Sequence, residues 1–264
     1  MQVSRPMPRL SFGTGVQGPR TLPEEVAVAL TFNGTTQAVM MATPGDLIDF
    51  AYGFALTEGI AKPSEITSID VQPVPNGIDL QLWLQPQAEA RLAHRRRTMA
   101  GPVGCGLCGI DSLDEAMRKL SPVPKSAFTM TAAQVMQAIA ALPGHQPLHD
   151  ATRATHAAGF WSGSLLATRE DVGRHNALDK LAGHLIRQTA QTGAILLTSR
   201  VSIDMVQKVA ALGMPILIAV SAPTAHAVTL ADQAGITLIA LARPDRFEVF
   251  THSARLTEVA AHVA

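Results

Sequence analysis

The sequence predicts an α/β protein, with a C-terminal α/β domain behind a smaller N-terminal α+β domain and a mobile Cys-x-x-Cys loop between them. Three observations predict it. Beyond His156, short apolar runs alternate with amphipathic stretches of ten to fifteen residues, the pattern of a largely parallel sheet covered on both faces. In the first third, apolar and polar residues alternate about Asn-Gly pairs, the pattern of antiparallel hairpins. The chain's 264 residues are enough for one large core or two modest ones.

Met1 to Arg20 is rich in Pro, Gly and Arg and has no apolar h-region, so residues 1–23 read as a flexible tail, neither a signal peptide nor a membrane span. The first domain is expected over 24–124. Glu25 to Phe32 alternates as a strand, Asn33-Gly34 turns the chain, and Thr36 to Ala42 returns as a second strand. Thr43-Pro44-Gly45-Asp46 starts a helix whose buried stripe is Leu47, Phe50, Phe54 and Ala55, with Pro44 in its first turn and Gly59 as its stop. A second hairpin, Ile66–Val74 and Ile78–Leu84, folds about Asn76-Gly77. Gln87 to Arg97 reads as a helix entering the cysteine loop and Asp111 to Leu120 as a helix leaving it, with Ser121-Pro122-Val123-Pro124 as a linker.

The second domain is expected over 125–264. Thr131 and Gln134 are spaced as a capping box for a helix running to Leu142. His156–Trp161 and Ser164–Thr168 form strands about Ser162-Gly163. Then helices Arg174–Gln188, Ser202–Leu212 and Thr224–Ala234 alternate with strands Ala194–Ser199, Pro215–Ser221 and Ile236–Leu241, and Phe247–Thr251 closes the set.

Lys+Arg and Asp+Glu are both 21, so no global field favours nucleic acid or an anionic membrane. No apolar run reaches the ~18 residues of a membrane span. With two cysteines and no export signal, the expected home is the cytoplasm, where thiols stay reduced.

Those two cysteines, Cys105 and Cys108, sit in Gly101-Pro102-Val103-Gly104-Cys105-Gly106-Leu107-Cys108-Gly109. Four glycines leave the sulfurs few side chains to shield them, which points to sulfur chemistry rather than packing. A structural zinc site needs four ligands; there is no second Cys pair, and the one close His pair, His145 and His149, lies on a Pro/Gly-rich stretch far downstream, which makes zinc the weaker reading. A disulfide here closes too short a loop to remove much chain entropy. A thioredoxin-type redox pair uses the same spacing but normally follows a strand, whereas Arg95-Arg96-Arg97-Thr98-Met99-Ala100 precedes this one. The same arginine run argues against reading Gly104-x-Gly106-x-x-Gly109 as a dinucleotide fingerprint, and its charge could stabilise a thiolate or persulfide.

In the second domain, Arg169 to Lys180 is the densest polar segment of a charge-poor chain and spans a strand end and a helix start, where anions are favoured. Arg174 and His175 could hold phosphate there, and Asp171 could accept from a base or cap the helix. Ser199-Arg200, Ser221-Ala222-Pro223-Thr224 and Arg243-Pro244-Asp245-Arg246 fall at equivalent junctions, so together they describe one rim suited to a phosphorylated ligand. His156 is a secondary candidate.

Gly104–Gly109, Thr155-His156-Ala157-Ala158, Glu170–Lys180 and Ser221–Thr224 resemble the FdhD family of formate dehydrogenase accessory sulfurtransferases, from about Glu24 nearly to the C-terminus. The resemblance implies a cytosolic homodimer with a cytidine deaminase-like C-terminal domain. It implies a protein that accepts sulfur from a cysteine desulfurase as a persulfide. That sulfur then passes to the molybdenum bis(guanine dinucleotide) cofactor destined for the formate dehydrogenase catalytic subunit, and GDP is expected to mimic part of this ligand. Cys105 aligns with the persulfide-bearing cysteine, Cys108 with its partner, and Leu241-Ala242-Arg243-Pro244-Asp245-Arg246 with the cofactor-binding stretch. Many members carry Gly at the Asp245 position, so a left-handed backbone and an unwelcome carboxylate are expected there. Deamination is not implied: it needs His-x-Glu with Pro-Cys-x-x-Cys, which this chain lacks. A non-catalytic cofactor chaperone and a dithiol oxidoreductase are the alternatives from other classes.

Overall fold

The computed structural model describes residues 1–13, 18–98, 120–188 and 192–257. The cysteine loop, and the helix expected over Asp111–Leu120 save Leu120 itself, lie outside them.

The N-terminal half is built on a four-stranded sheet of β3 (Val26–Phe32), β4 (Thr35–Ala42), β5 (Ile66–Val74) and β6 (Gly77–Leu84), in the order β4-β3-β6-β5. Both expected hairpins form, and β3 joins them by running parallel to β6. Alternation puts Val28, Leu30, Phe32, Ile78, Leu80 and Leu82 on one face, where they bury against Phe50 and Phe54 of helix α1 (Leu47–Thr57). Pro44 stands ahead of this helix rather than in its first turn, because Asp46 takes the left-handed N-cap position. Gly59, at φ 66°, ends it as expected. Helix α2 (Pro86–Thr98) follows.

The tail differs from the sequence reading. β1 (Ser4–Met7) and β2 (Arg20–Pro23) pair antiparallel, and Arg20 donates to the Thr152 carbonyl at 3.3 Å, tying the ribbon to the second half. Strands this short and proline-flanked carry no apolar alternation that a sequence pattern could reveal.

The second half holds a six-stranded sheet of order β13-β12-β11-β10-β8-β9. Its strands are β8 (His156–Trp161), β9 (Leu165–Asp171), β10 (Ala194–Leu197), β11 (Ile216–Ala219), β12 (Thr237–Arg243) and β13 (Arg246–Val249). Only β10, β11 and β12 run parallel; β8, β9 and β13 add antiparallel pairings, so the sheet is mixed rather than largely parallel. The connections explain this, since the two-residue Pro244-Asp245 link and the short Ser162–Ser164 link can only reverse the chain. Helices α5 (Arg174–Arg187), α6 (Ile203–Ala211) and α7 (Ala225–Gln233) cover one face. Helix α3 (Ala132–Ala141), with the small β7 (Met130–Thr131) and β14 (Leu256–Thr257) pair, covers the other. The Thr131–Gln134 capping box forms in both directions, at 3.1 and 2.8 Å. A helix absent from the sequence reading, α4 (Pro147–Thr152), follows α3.

The halves meet where α1 lies on α5. A Cβ on Gly53 would strike the Asp179 carbonyl and one on Gly183 the Asp49 carbonyl, so both positions need glycine for the backbones to approach. Buried charges surround this crossing. Asp49 takes Arg169 at 2.8 Å and Arg187 at 2.6 Å. Asp179 receives Lys208 at 3.0 Å and Thr57 at 2.7 Å, and Lys208 also reaches Glu58 at 2.6 Å. Burial opposes the charge on Lys208, but Asp179 and Glu58 outweigh it and hold the ammonium above its ordinary range.

Candidate functional site

Strand direction gathers the polar segments. The C-terminal ends of β10, β11 and β12 share one edge, and antiparallel neighbours bring the starts of β8 and β13 and the end of β9 to it. His156, Asp171–His175, Thr198–Arg200, Val220–Thr224 and Leu241–Arg246 therefore stand on one rim, the usual ligand edge of an open α/β sheet.

A cavity of about 390 Å³ opens there, between the ends of β10–β12 and the α3–α4 segment. Ile139, Leu142, Val220 and Ala242 give it apolar walls, while His149, Asp150, Arg153 and Arg243 supply polar groups. This is the mix expected of a small-molecule site. Of the residues aligned to cofactor binding, Ala242, Arg243 and Pro244 line it. Arg243 folds its guanidinium onto the Val220 carbonyl at 2.6 Å and the Ala242 carbonyl at 2.9 Å. Asp245 and Arg246 form an exposed pair at 3.3 Å in the turn beyond. The left-handed residue of this stretch is Leu241, at φ 52°, and not Asp245. It sits in the β12 irregularity between Ala240 and Arg243, which re-aims the chain into the turn.

On the other side of the sheet edge, α5 begins at Gly173, which offers no side-chain cap. Arg174 occupies its first position, with a buried Nε that has no hydrogen-bond partner. An orphaned guanidinium N–H beside uncapped helical N–H groups suits an anion. His175 Nε2 meets the Asp204 carboxylate at 2.9 Å. That contact, above all other causes, holds the Asp204 carboxyl down to about 2. His156 lies between the two regions, its Nδ1 3.5 Å from the cavity-lining Thr198 hydroxyl. Burial, then the nearby Arg174 charge, pushes its pKa down, so its ring is neutral at neutral pH.

Asp171 serves the fold instead of facing a ligand. It is fully buried, and its carboxylate accepts from the backbone of Gly173 (2.7 Å) and Thr43 (3.0 Å) and from Asn176 (3.0 Å), with Lys180 at 2.6 Å. The sequence reading also missed the cavity's α4 wall. Gly144-His145-Gln146-Pro147 reads as loop, and a six-residue helix is too short to show a period.

The fold and rim define a mixed α/β protein with a part-apolar cavity and an uncapped helix start at one sheet edge. The FdhD/NarQ family model matches residues 23–257. The chain is 51% identical over 249 residues to the sulfur carrier protein FdhD of Agrobacterium fabrum, covering 92% of each chain. The same protein of Brucella abortus is 51% identical over 90% of this chain and 91% of its own, and that of Bordetella bronchiseptica 47% over 88% and 86%. A crystal structure from Desulfotalea psychrophila, described as a candidate formate dehydrogenase accessory protein, superposes with a TM-score of 0.76 at 25% identity over 97% of this chain and all of that one. The chain belongs to the FdhD/NarQ family.

Proposed function

We propose that this chain is a sulfur carrier for formate dehydrogenase maturation, working through a persulfide on Cys105. The observation that carries this is the pairing of near full-length identity to sulfur carriers with a chain whose only two cysteines flank Gly106-Leu107. Both cysteines lie outside the described residues.

In this reading the Cys105 thiolate attacks the terminal sulfur of a cysteine desulfurase persulfide. The donor's S–S bond breaks, its thiolate leaves, and the new S–S bond forms on Cys105. The acceptor is the molybdenum bis(guanine dinucleotide) cofactor, a substrate here, with GDP as a partial mimic. Arg174, His175 and the Leu241–Arg246 turn are assigned to its phosphates and the cavity to a ring. Cys108 either shares the sulfur or attacks the Cys105 sulfur, forming a disulfide and releasing hydrosulfide. The reading extends to the formate dehydrogenase catalytic subunit as recipient, a cytoplasmic site and a homodimer. It further takes 24–124 and 125–264 as domains, the second cytidine deaminase-like. Among the described residues no helix is long and apolar enough to cross a membrane.

The test is maturation of formate dehydrogenase in cells carrying Cys105→Ala. Loss of maturation with GDP binding retained supports the carrier. Normal maturation removes Cys105 from that role and favours a chaperone.

A further inference from the structure

His175 is held on the rim by a residue that sequence reading does not single out. One oxygen of Asp204 meets His175 Nε2 at 2.9 Å and accepts from the Ser202 hydroxyl at 3.0 Å. The two side chains come from the first turns of α5 and α6, and each is about 30% exposed. Ser202 is the N-cap residue of α6, yet its hydroxyl makes no cap bond and turns to Asp204 instead. An acid in a first turn is ordinary. Convergence of the N-cap residue's hydroxyl and an imidazole on one of its oxygens is not.

We propose that Asp204 is a positioning residue for His175: it accepts a hydrogen bond from Nε2–H, fixes the ring plane, and leaves Nδ1 as the ring atom that meets an anionic oxygen of the ligand. A carboxylate only accepts, so Nε2 must be the donor of this pair. The tautomer of a histidine follows the hydrogen bond its other nitrogen makes. Nδ1 is then an acceptor in the neutral ring and a donor to a phosphate oxygen in the imidazolium form, whose charge Asp204 would balance. The other titratable and charged groups of this corner are Arg174 beside His175 on α5, the buried Asp171 at the end of β9, His156 on β8 and His149 on α4. Asp204 is the group that hydrogen-bonds the His175 ring and sets its orientation.

The inference rests on the reading of the rim as an anion site, and two measurements separate them. Nitrogen-15 spectra of the imidazole rings in ligand-free protein report the His175 tautomer, and calorimetric titration with GDP reports binding. In the wild type His175 is expected as the Nε2–H tautomer. Asp204→Ala should mix the tautomers and weaken GDP roughly tenfold or more, the size of one misaimed charge-assisted hydrogen bond. Asp204→Asn keeps an acceptor for Nε2–H, so it should keep the tautomer and weaken GDP less. In a His175→Ala background, Asp204→Ala should cost no further affinity. Should Asp204→Ala leave tautomer and affinity unchanged while His175→Ala weakens GDP, Asp204 has no positioning role and the rim reading stands. If His175→Ala binds GDP like the wild type, or the wild type does not bind it, the rim reading fails. That outcome also overturns the Nδ1–ligand contact, and the ligand-free spectrum then decides the positioning alone: an Nε2–H tautomer lost in Asp204→Ala upholds it, and an unchanged ring overturns it.

Discussion

Replacing Gly183 with Ala should destabilise this protein, although the same change usually stabilises a helix by about 0.5–1 kcal/mol. Gly183 lies within α5, buried against α1. Its new Cβ would overlap the Asp49 carbonyl group and stand 2.9 Å from the Asp49 Cα, where carbon atoms ordinarily pack at ~3.5–4.0 Å. The obstacle is backbone, so no rotamer relieves it, and the helices must part by about 1 Å. Parting them pulls Asp49 from Arg187, now at 2.6 Å, and stretches the Thr57–Asp179 hydrogen bond, now at 2.7 Å. Overpacking alone costs about 1–3 kcal/mol and loosening the part-exposed Asp49–Arg187 pair adds up to about 1 kcal/mol, which after the helix gain leaves a net loss of about 2 kcal/mol. For a chain of this size that lowers Tm by roughly 4–8 °C, readable by circular dichroism. A Gly183→Ala protein as stable as the wild type would refute the close crossing.

Lys208→Met should cost about 3–5 kcal/mol by leaving Asp179 and Glu58 facing each other without their cation, measured by urea denaturation. Asp204 has a folded pKa of about 2 against an ordinary 3.8, so its contribution is complete above about pH 4 and disappears as pH falls towards 2. An Asp204→Asn variant should therefore lose less stability than the wild type between pH 4 and 2 in acid-unfolding curves. Arg174→Ala should weaken GDP at least tenfold at low salt, because it removes the rim guanidinium whose buried Nε has no partner. Asp245→Gly removes an exposed carboxylate beside Arg246 and should tighten GDP about two- to threefold, an effect that fades with added salt.

What the sequence revealed was whatever leaves a short-range signature. The Asn33-Gly34 and Asn76-Gly77 turns, the Thr131–Gln134 box and the apolar β10–β12 runs each report local chemistry, and each stands where its pattern predicts. Once strand and helix alternation was in hand, the rim followed, because parallel strands bring their C-terminal ends to one edge. Contacts between distant segments were not legible. Asp171 could be read either as a base-binding acid or as a helix cap, because its partners Thr43 and Lys180 lie far along the chain and on the next helix turns. Leu241 carries no hint of its positive φ, since only the β12 irregularity imposes it. Asp204 is one acid among many until its distance to His175 is known.

The central claim is that Cys105 carries sulfur. Reduced protein incubated with a cysteine desulfurase and L-cysteine, then digested and weighed by mass spectrometry, tests it most directly. The account predicts one added sulfur on the peptide holding Cys105 and Cys108, absent from Cys105→Ala. An active desulfurase that leaves this peptide unchanged would contradict it.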